Sequence, residues 1–232
     1  LAERDVKAIV VACNTSTAVA LPLLRRRYAV PILGVVRPGA TAAVLATRTR
    51  AVGVIATPAT VRSHAYFEAI NEEDPFVEVF EHATPELVPL VEAGHTSGPQ
   101  VDAAIRRSLA PLLGEPVDVD PSFVFPKPPD ARIDTLLLGC THYPLLVAAI
   151  RHIVGEGTAV IDSATATASA LASLIEVHDL GTPDPAPGRH LLLTTGDVAA
   201  FKATASRLFG GDLGRDEPID LAGTHAGRGG SA

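Results

Sequence analysis

Short apolar runs alternate along the chain with longer segments in which apolar residues recur at helical spacing. Strands are predicted at residues 9–11, 30–36, 51–56, 76–80, 136–138, 159–161 and 190–195, with a short terminal strand near residues 218–221. Helical patterns follow at residues 16–28, 40–49, 58–70, 100–113, 144–153, 164–177 and 198–209. This alternation predicts an α/β fold with mostly parallel sheets in two domains.

Breaker residues divide the pattern. Arg37-Pro38-Gly39 is predicted to end the strand at residues 30–36 and to mark a domain boundary. We predict that residues 1–36 and 146–221 form a first α/β domain and that residues 37–145 form a second. The proline-rich segment 114–130 is predicted to be an inserted loop, and the glycine-rich segment 222–232 a disordered tail.

Composition narrows the function classes. The 232 residues are 47% hydrophobic and 19% charged, which is enough apolar content for a buried core and is typical of a soluble globular protein. The net charge of −7 and the single basic cluster at residues 25–27 argue against a nucleic-acid surface. No apolar run approaches the length of a membrane span, and no leader pattern opens the chain. We therefore expect a cytoplasmic protein whose partner is a small molecule.

Candidate chemistry lies in two matching stretches, residues 6–17 and 132–143, which hold the two cysteines of the sequence. In each stretch an apolar run ends at a cysteine, Cys13 or Cys140, and small hydrogen-bonding residues that can begin a helix come next. Open α/β sheets bind ligands at the carboxyl ends of their strands. The pattern therefore predicts two half-sites that face one pocket, with a paired acid and base.

Two thiols suit the inversion of a stereocentre beside a carboxylate. One side chain must remove the α-proton from one face, and another must return a proton to the other face. A thiol has a pKa of about 8.5, which a helix N-terminus lowers, so both protonation states are accessible near neutrality. Helix N-termini and the polar side chains of Asn14, Thr15, Thr141 and His142 can bind the substrate carboxylate.

Simpler interpretations stay open for several of these residues. Cys13 and Cys140 could form a disulfide, but a cytosolic setting keeps thiols reduced. They could bind a metal with a histidine, but no CxxC or HxxxH spacing occurs, and we expect no metal. His142 could instead be a turn histidine bonded to backbone, and Glu92 a solvated residue at a helix end. Asp162-Ser163 is interpreted first as a helix N-cap.

The sequences VACNT at residues 11–15 and GCTHYP at residues 139–144 closely resemble the two signatures of the glutamate racemase family. Further similarity lies at residues 31–36, 53–57, 87–92 and 161–163. Members of this family interconvert L- and D-glutamate without a cofactor and supply D-glutamate to peptidoglycan. Their fold has two pseudo-symmetric α/β domains with the active site between them, and they commonly form homodimers.

The resemblance implies roles for individual residues. Cys13 and Cys140 would be the two proton donors and acceptors, each serving one enantiomer. The substrate contacts would come from four neighbours of these cysteines, namely Asn14, Thr15, Thr141 and His142. The resemblance also raises Glu92 to a partner of His142.

The chain also departs from the family pattern. The Asp-Ser-Gly strand end and the Tyr-Gly loop of the family do not occur ahead of Cys13, a difference of about two βα units at some thirty residues each. We expect a first domain that is incomplete at its N-terminus and has an exposed sheet edge. Thr84 stands where a cysteine is common, and Ala164 where glycine is usual. The alternatives are a racemase for aspartate and a truncated, inactive homologue that acts as a binding protein.

Overall fold

A computed structural model of the chain describes residues 4–114, 124–125, 133–183, 186, 188, 190–209 and 215–218. The predicted tail at residues 222–232 and most of the proline-rich segment lie outside the described residues. The chain divides into two compact units, residues 1–181 and 182–232.

The strands and helices follow one another in the predicted alternation, except that a short strand at residues 124–125 lies within the segment predicted to be a loop. The strands are β1 (Ile9–Val11), β2 (Ile32–Gly34), β3 (Ala51–Ala56), β4 (Glu78–Ala83), β5 (Val124–Phe125), β6 (Thr135–Gly139), β7 (Ala159–Asp162), β8 (Leu191–Thr194) and β9 (Arg215–Pro218). The helices are α1 (Asn14–Arg27), α2 (Val36–Ala46), α3 (Pro58–Arg62), α4 (Ala65–Glu73), α5 (Leu87–Glu92), α6 (Pro99–Leu109), α7 (Val147–Val154), α8 (Ser163–Val177) and α9 (Val198–Phe209).

A five-stranded sheet forms the centre of the first unit, with the strand order β5-β4-β3-β6-β7. Its strand pairs are parallel except β4 with β5. Every residue of β3 and β6 is buried, as expected for central parallel strands that are covered on both faces. These observations confirm the predicted α/β class with mostly parallel sheets. In the second unit, β8 and β9 also pair in parallel, and Asp197 caps α9 by accepting from the Ala200 N–H at 2.7 Å.

The strand β1 pairs in parallel with β2 in a separate two-stranded sheet. Thr17 of α1 joins the ends of both strands, because its hydroxyl donates to the Val11 carbonyl at 2.8 Å and accepts from the Val35 N–H at 3.3 Å. A Cβ atom at Gly34 would lie 2.5 Å from Thr17 Cγ2, so glycine permits this close packing. This packing fixes the segment between β1 and α1, where Cys13 lies.

The strand predicted at residues 30–36 ends at Gly34, so Arg37-Pro38-Gly39 do not terminate it. The helix α2 begins at Val36 and runs through these residues, because a proline in the first helical turn removes no intrahelical hydrogen bond. The helix predicted at residues 58–70 is divided in two at His64, which adopts a left-handed φ of 53°. The strand β7, within the range assigned to the first domain, pairs with β6. The division into a first domain of residues 1–36 and 146–221 and a second domain of residues 37–145 stays a prediction.

Asp134 ties the turn after α2 to the start of β6. Its carboxylate accepts from the Thr47 hydroxyl at 2.5 Å and from the backbone N–H groups of Arg48 and Thr49 at 2.6 and 2.8 Å. Burial acts to raise the pKa of Asp134, but the hydrogen bonds, led by that of Thr47, outweigh it and lower the pKa. The ionised carboxylate is therefore the form that stabilises the fold.

Asp134→Asn is expected to lower the free energy of unfolding at pH 7 by about 1–3 kcal/mol, since three partly buried hydrogen bonds lose their charged acceptor. A depressed pKa stabilises the fold above the unfolded-state pKa, near 3.9, and this contribution is lost as the pH falls through the folded-state pKa. The difference from the wild type should therefore shrink at acidic pH in urea titrations. Glu176→Gln, at an exposed position on α8, is the control. Equal stability of Asp134→Asn and the wild type at pH 7 would contradict this role.

Candidate active site

Cys13 lies between β1 and α1, where it is the N-cap residue of the helix. Its backbone is extended, with φ −76° and ψ 123°, and its Sγ accepts from the Ser16 N–H at 3.5 Å. The side chain is exposed. A ligand can therefore reach this sulfur, which lies at the positive end of the helix dipole.

Cys140 follows β6 and is buried, with 7% of the residue exposed. Burial raises the pKa of the Cys140 thiol, the His142 backbone N–H opposes this rise, and the charge of Cys13 adds to it. A hydrogen bond from the Thr141 side chain also lowers this pKa.

His142 and Glu92 form a hydrogen-bonded chain that ends at Cys140. The Nδ1 atom of His142 lies 3.6 Å from Cys140 Sγ, and its Nε2 atom lies 2.5 Å from Glu92 Oε1. Glu92 is the last residue of α5, and its side chain is 62% exposed, against 29% for His142. The carboxylate can therefore hold the imidazole ring beside the thiol and stabilise a positive charge on it.

Three threonine hydroxyls meet beside the Cys13 segment. Thr15 Oγ1 lies 2.8 Å from Thr57 Oγ1 and 3.0 Å from Thr60 Oγ1, and the latter two lie 3.0 Å apart. Thr57 caps α3 with Pro58 in its first turn, as the sequence predicts. The link to Thr15 was not predicted, because Thr57 and Thr15 are 42 residues apart and the order of the strands is not visible in the sequence.

Asn14 is buried, and its Oδ1 accepts from the Tyr66 hydroxyl at 2.5 Å. Thr141 is exposed. Asp162 caps α8 by accepting from the Ala164 N–H at 2.8 Å, as predicted, and Ser163 behind it is buried.

The strand order places Thr57 and Cys140 side by side at the carboxyl end of the central sheet. From β3 the chain continues to β4 on one side, and β6 pairs with β3 on the other side, so the carboxyl ends of β3 and β6 flank a topological switch point. Ala56 lies opposite Gly139 in the register, and the residues that follow include Thr57 and Cys140. Ligands of open α/β sheets bind in the crevice at such a point.

Within the part of the chain that the structure describes, no group of three or more histidine, cysteine, aspartate or glutamate side chains is placed to hold a metal ion. No helix among the described residues is both long and apolar enough to cross a membrane.

Comparisons with known proteins agree on one family. The sequence profile described as Asp/Glu/Hydantoin racemase matches residues 1–119. The glutamate racemase of Geobacter metallireducens is 39% identical over 221 residues, which cover 95% of this chain and 76% of that protein.

Two solved structures resemble the present one. The crystal structure of glutamate racemase isoform RacE1 from Bacillus anthracis has a TM-score of 0.82 and 35% identity, and covers 93% of this chain and 74% of its own. The glutamate racemase from Francisella tularensis, in complex with D-glutamate, has a TM-score of 0.80 and 27% identity. The match covers 96% of this chain and 76% of that chain.

Proposed function

This chain belongs to the Asp/Glu/hydantoin racemase family, and we propose that it interconverts L- and D-glutamate by proton transfer between Cys13, the substrate and Cys140. The observation that carries the proposal is the pairing of the two thiols. They follow different strands, and Tyr66 contacts the segments of both. Its hydroxyl donates to Asn14, next to Cys13, and its ring lies against Gly139, which precedes Cys140. Two thiolates would repel each other, so racemisation starts from the state with one thiolate and one thiol.

The mixed state is the one that racemisation needs. The thiolate takes the α-proton, and the electron pair of the broken C–H bond passes into the substrate carboxylate. The thiol then donates its proton to the other face of the same carbon, and the two cysteines end with exchanged protonation states. The enantiomer formed is processed by the same steps in reverse, so no net oxidation and no cofactor is required.

Substrate binding is assigned to residues around the two thiols. Hydroxyl and amide groups of Asn14, Thr15, Thr141 and His142 suit the carboxylate groups of an acidic amino acid. The contact between Thr15 and Thr57 supports this assignment, because it concentrates donors beside Cys13. Glutamate is preferred over aspartate because the similar proteins from Geobacter metallireducens and Bacillus anthracis are glutamate racemases. On the family resemblance we also propose that the protein supplies D-glutamate to peptidoglycan, lies in the cytoplasm and forms a homodimer.

The test is isotope exchange in D2O without added metal or cofactor. Incubated separately with L-glutamate and D-glutamate, the protein should incorporate deuterium at the α-carbon and form the opposite enantiomer from either substrate. Exchange with L-aspartate should be at least about tenfold slower, corresponding to about 1.4 kcal/mol of transition-state discrimination. Faster exchange with aspartate would reassign the substrate, and exchange with neither amino acid would refute the racemase activity.

A further inference from the structure

Tyr66 is a buried residue in the first turn of α4, and it contacts the segments that carry both cysteines. On one side its hydroxyl donates to Asn14 Oδ1 at 2.5 Å, next to Cys13. On the other side its ring fills space beside Gly139, where a Cβ atom would lie 2.9 Å from Tyr66 Cε2. Gly139 directly precedes Cys140.

The surroundings of Tyr66 keep its hydroxyl protonated, and this fixes the direction of its hydrogen bond with Asn14. Burial raises the pKa of Tyr66, and the charge of Cys140 adds to the rise, so the hydroxyl keeps its proton. The Ser163 side chain opposes this rise. The protonated Tyr66 hydroxyl is therefore the donor to Asn14 Oδ1.

We propose that Tyr66 is a positioning residue, which fixes the Asn14 amide by donating its hydroxyl to Asn14 Oδ1. Because Oδ1 is occupied by Tyr66, the NH2 group of Asn14 is the part of the amide that donates to the substrate carboxylate. Without the phenol, the amide can rotate and present its oxygen, which repels a carboxylate. The inference rests on the proposed function for the identity of the substrate. The hydrogen bond from Tyr66 to Asn14 does not depend on that function.

The backbone around Tyr66 is held in place independently of Asn14. The residue His64, at the start of α4, has a left-handed φ of 53°, and its Nδ1 lies 3.0 Å from Glu81 Oε2 on β4. Glu81 is buried, and burial raises its pKa. This contact anchors the start of the helix to the central sheet, so the Tyr66 ring enters the site from a fixed position.

The amide orientation can be measured on the free protein by NMR. The sequence has two asparagines and one glutamine, so the side-chain NH2 region of a ¹⁵N spectrum holds the signals of Asn14, Asn71 and Gln100. Asn14→Asp identifies the Asn14 pair by its loss. Tyr66→Phe should shift the Asn14 pair, while Asn71 and Gln100 serve as internal references. An unchanged Asn14 pair in Tyr66→Phe would overturn the inference.

Tyr143→Phe is the matched control for loss of a buried phenol. The Tyr143 hydroxyl pairs with Thr84, with Oγ1 at 2.6 Å and with the backbone carbonyl at 3.2 Å, whereas the Tyr66 hydroxyl pairs with Asn14. This variant should lose stability to a similar degree as Tyr66→Phe but leave the Asn14 signals in place. Equal shifts of the Asn14 signals in both variants would point to general loosening and overturn the specific role of Tyr66.

The kinetic readout is a double-mutant cycle with glutamate. Tyr66→Phe should raise KM about tenfold and change kcat less, because substrate binding loses an oriented donor. In an Asn14→Ala background the same substitution should change KM less than twofold, since the residue through which it acts is absent. Additive effects would overturn the inference. If the wild type exchanges no α-proton, the proposed function fails, and the NMR result on the free protein still decides the role of Tyr66.

Discussion

Cys13→Ser and Cys140→Ser are each expected to lower kcat/KM for glutamate racemisation by about 10²–10⁴-fold, the range for loss of one positioned acid or base. A serine hydroxyl has nearly the size of the thiol but does not ionise near neutrality, so it cannot remove an α-proton. Both directions must fall equally, because the equilibrium constant between two enantiomers is one. Polarimetry from each enantiomer measures the loss.

The two variants should differ in a second measurement. The remaining thiol can still remove the α-proton of one enantiomer and return a deuteron to the same face, which gives exchange without inversion. Cys13→Ser and Cys140→Ser should therefore exchange opposite enantiomers in D2O. Thermal unfolding of both variants near the wild-type midpoint serves as the control for folding. Racemisation at the wild-type rate by both variants would refute the paired-thiol mechanism.

Features fixed by local residues were predictable from the sequence. The bounds of β3 agree with its continuous apolar run, and Thr57-Pro58 begins a helix because an N-cap hydroxyl and a first-turn proline are local signals. The strand end expected at Arg37-Pro38-Gly39 was misplaced for a related reason. Proline disrupts a helix interior but is compatible with the first turn, and the sequence alone did not reveal where the first turn lay.

Contacts between distant segments were beyond the sequence pattern. The bond from Tyr66 to Asn14 joins residues 52 apart, and it depends on where α4 packs over the sheet. From the residues alone, Glu92 is interpreted first as a solvated glutamate at a helix end, and pairing with His142 is the less favoured alternative that the family resemblance raises. The structure places it against His142 because α5 ends beside the segment after β6.

The hydrogen-bonded chain of Glu92, His142 and Cys140 gives the two thiols different surroundings, and this asymmetry can be measured. His142→Asn should slow exchange through Cys140 about 10²-fold, because a buried thiolate loses the imidazole that stabilises it. Glu92→Gln should slow it about 3- to 10-fold, since the exposed carboxylate acts through solvent-screened charge. Exchange through Cys13 should change less than twofold in Glu92→Gln.

The two routes separate when one thiol is removed. In a Cys13→Ser background exchange proceeds through Cys140, and in a Cys140→Ser background through Cys13. Glu92→Gln should also move the pH dependence of exchange through Cys140 to higher pH. Burial already raises the pKa of Cys140. This pKa rises further when the loss of the Glu92 carboxylate weakens the positive charge on His142 that stabilises the thiolate. Glu86→Gln, next to α5 but paired with Arg107, is the matched control. Equal slowing of both routes would assign His142 and Glu92 to substrate binding, since an effect on Cys140 alone acts on one face of the α-carbon.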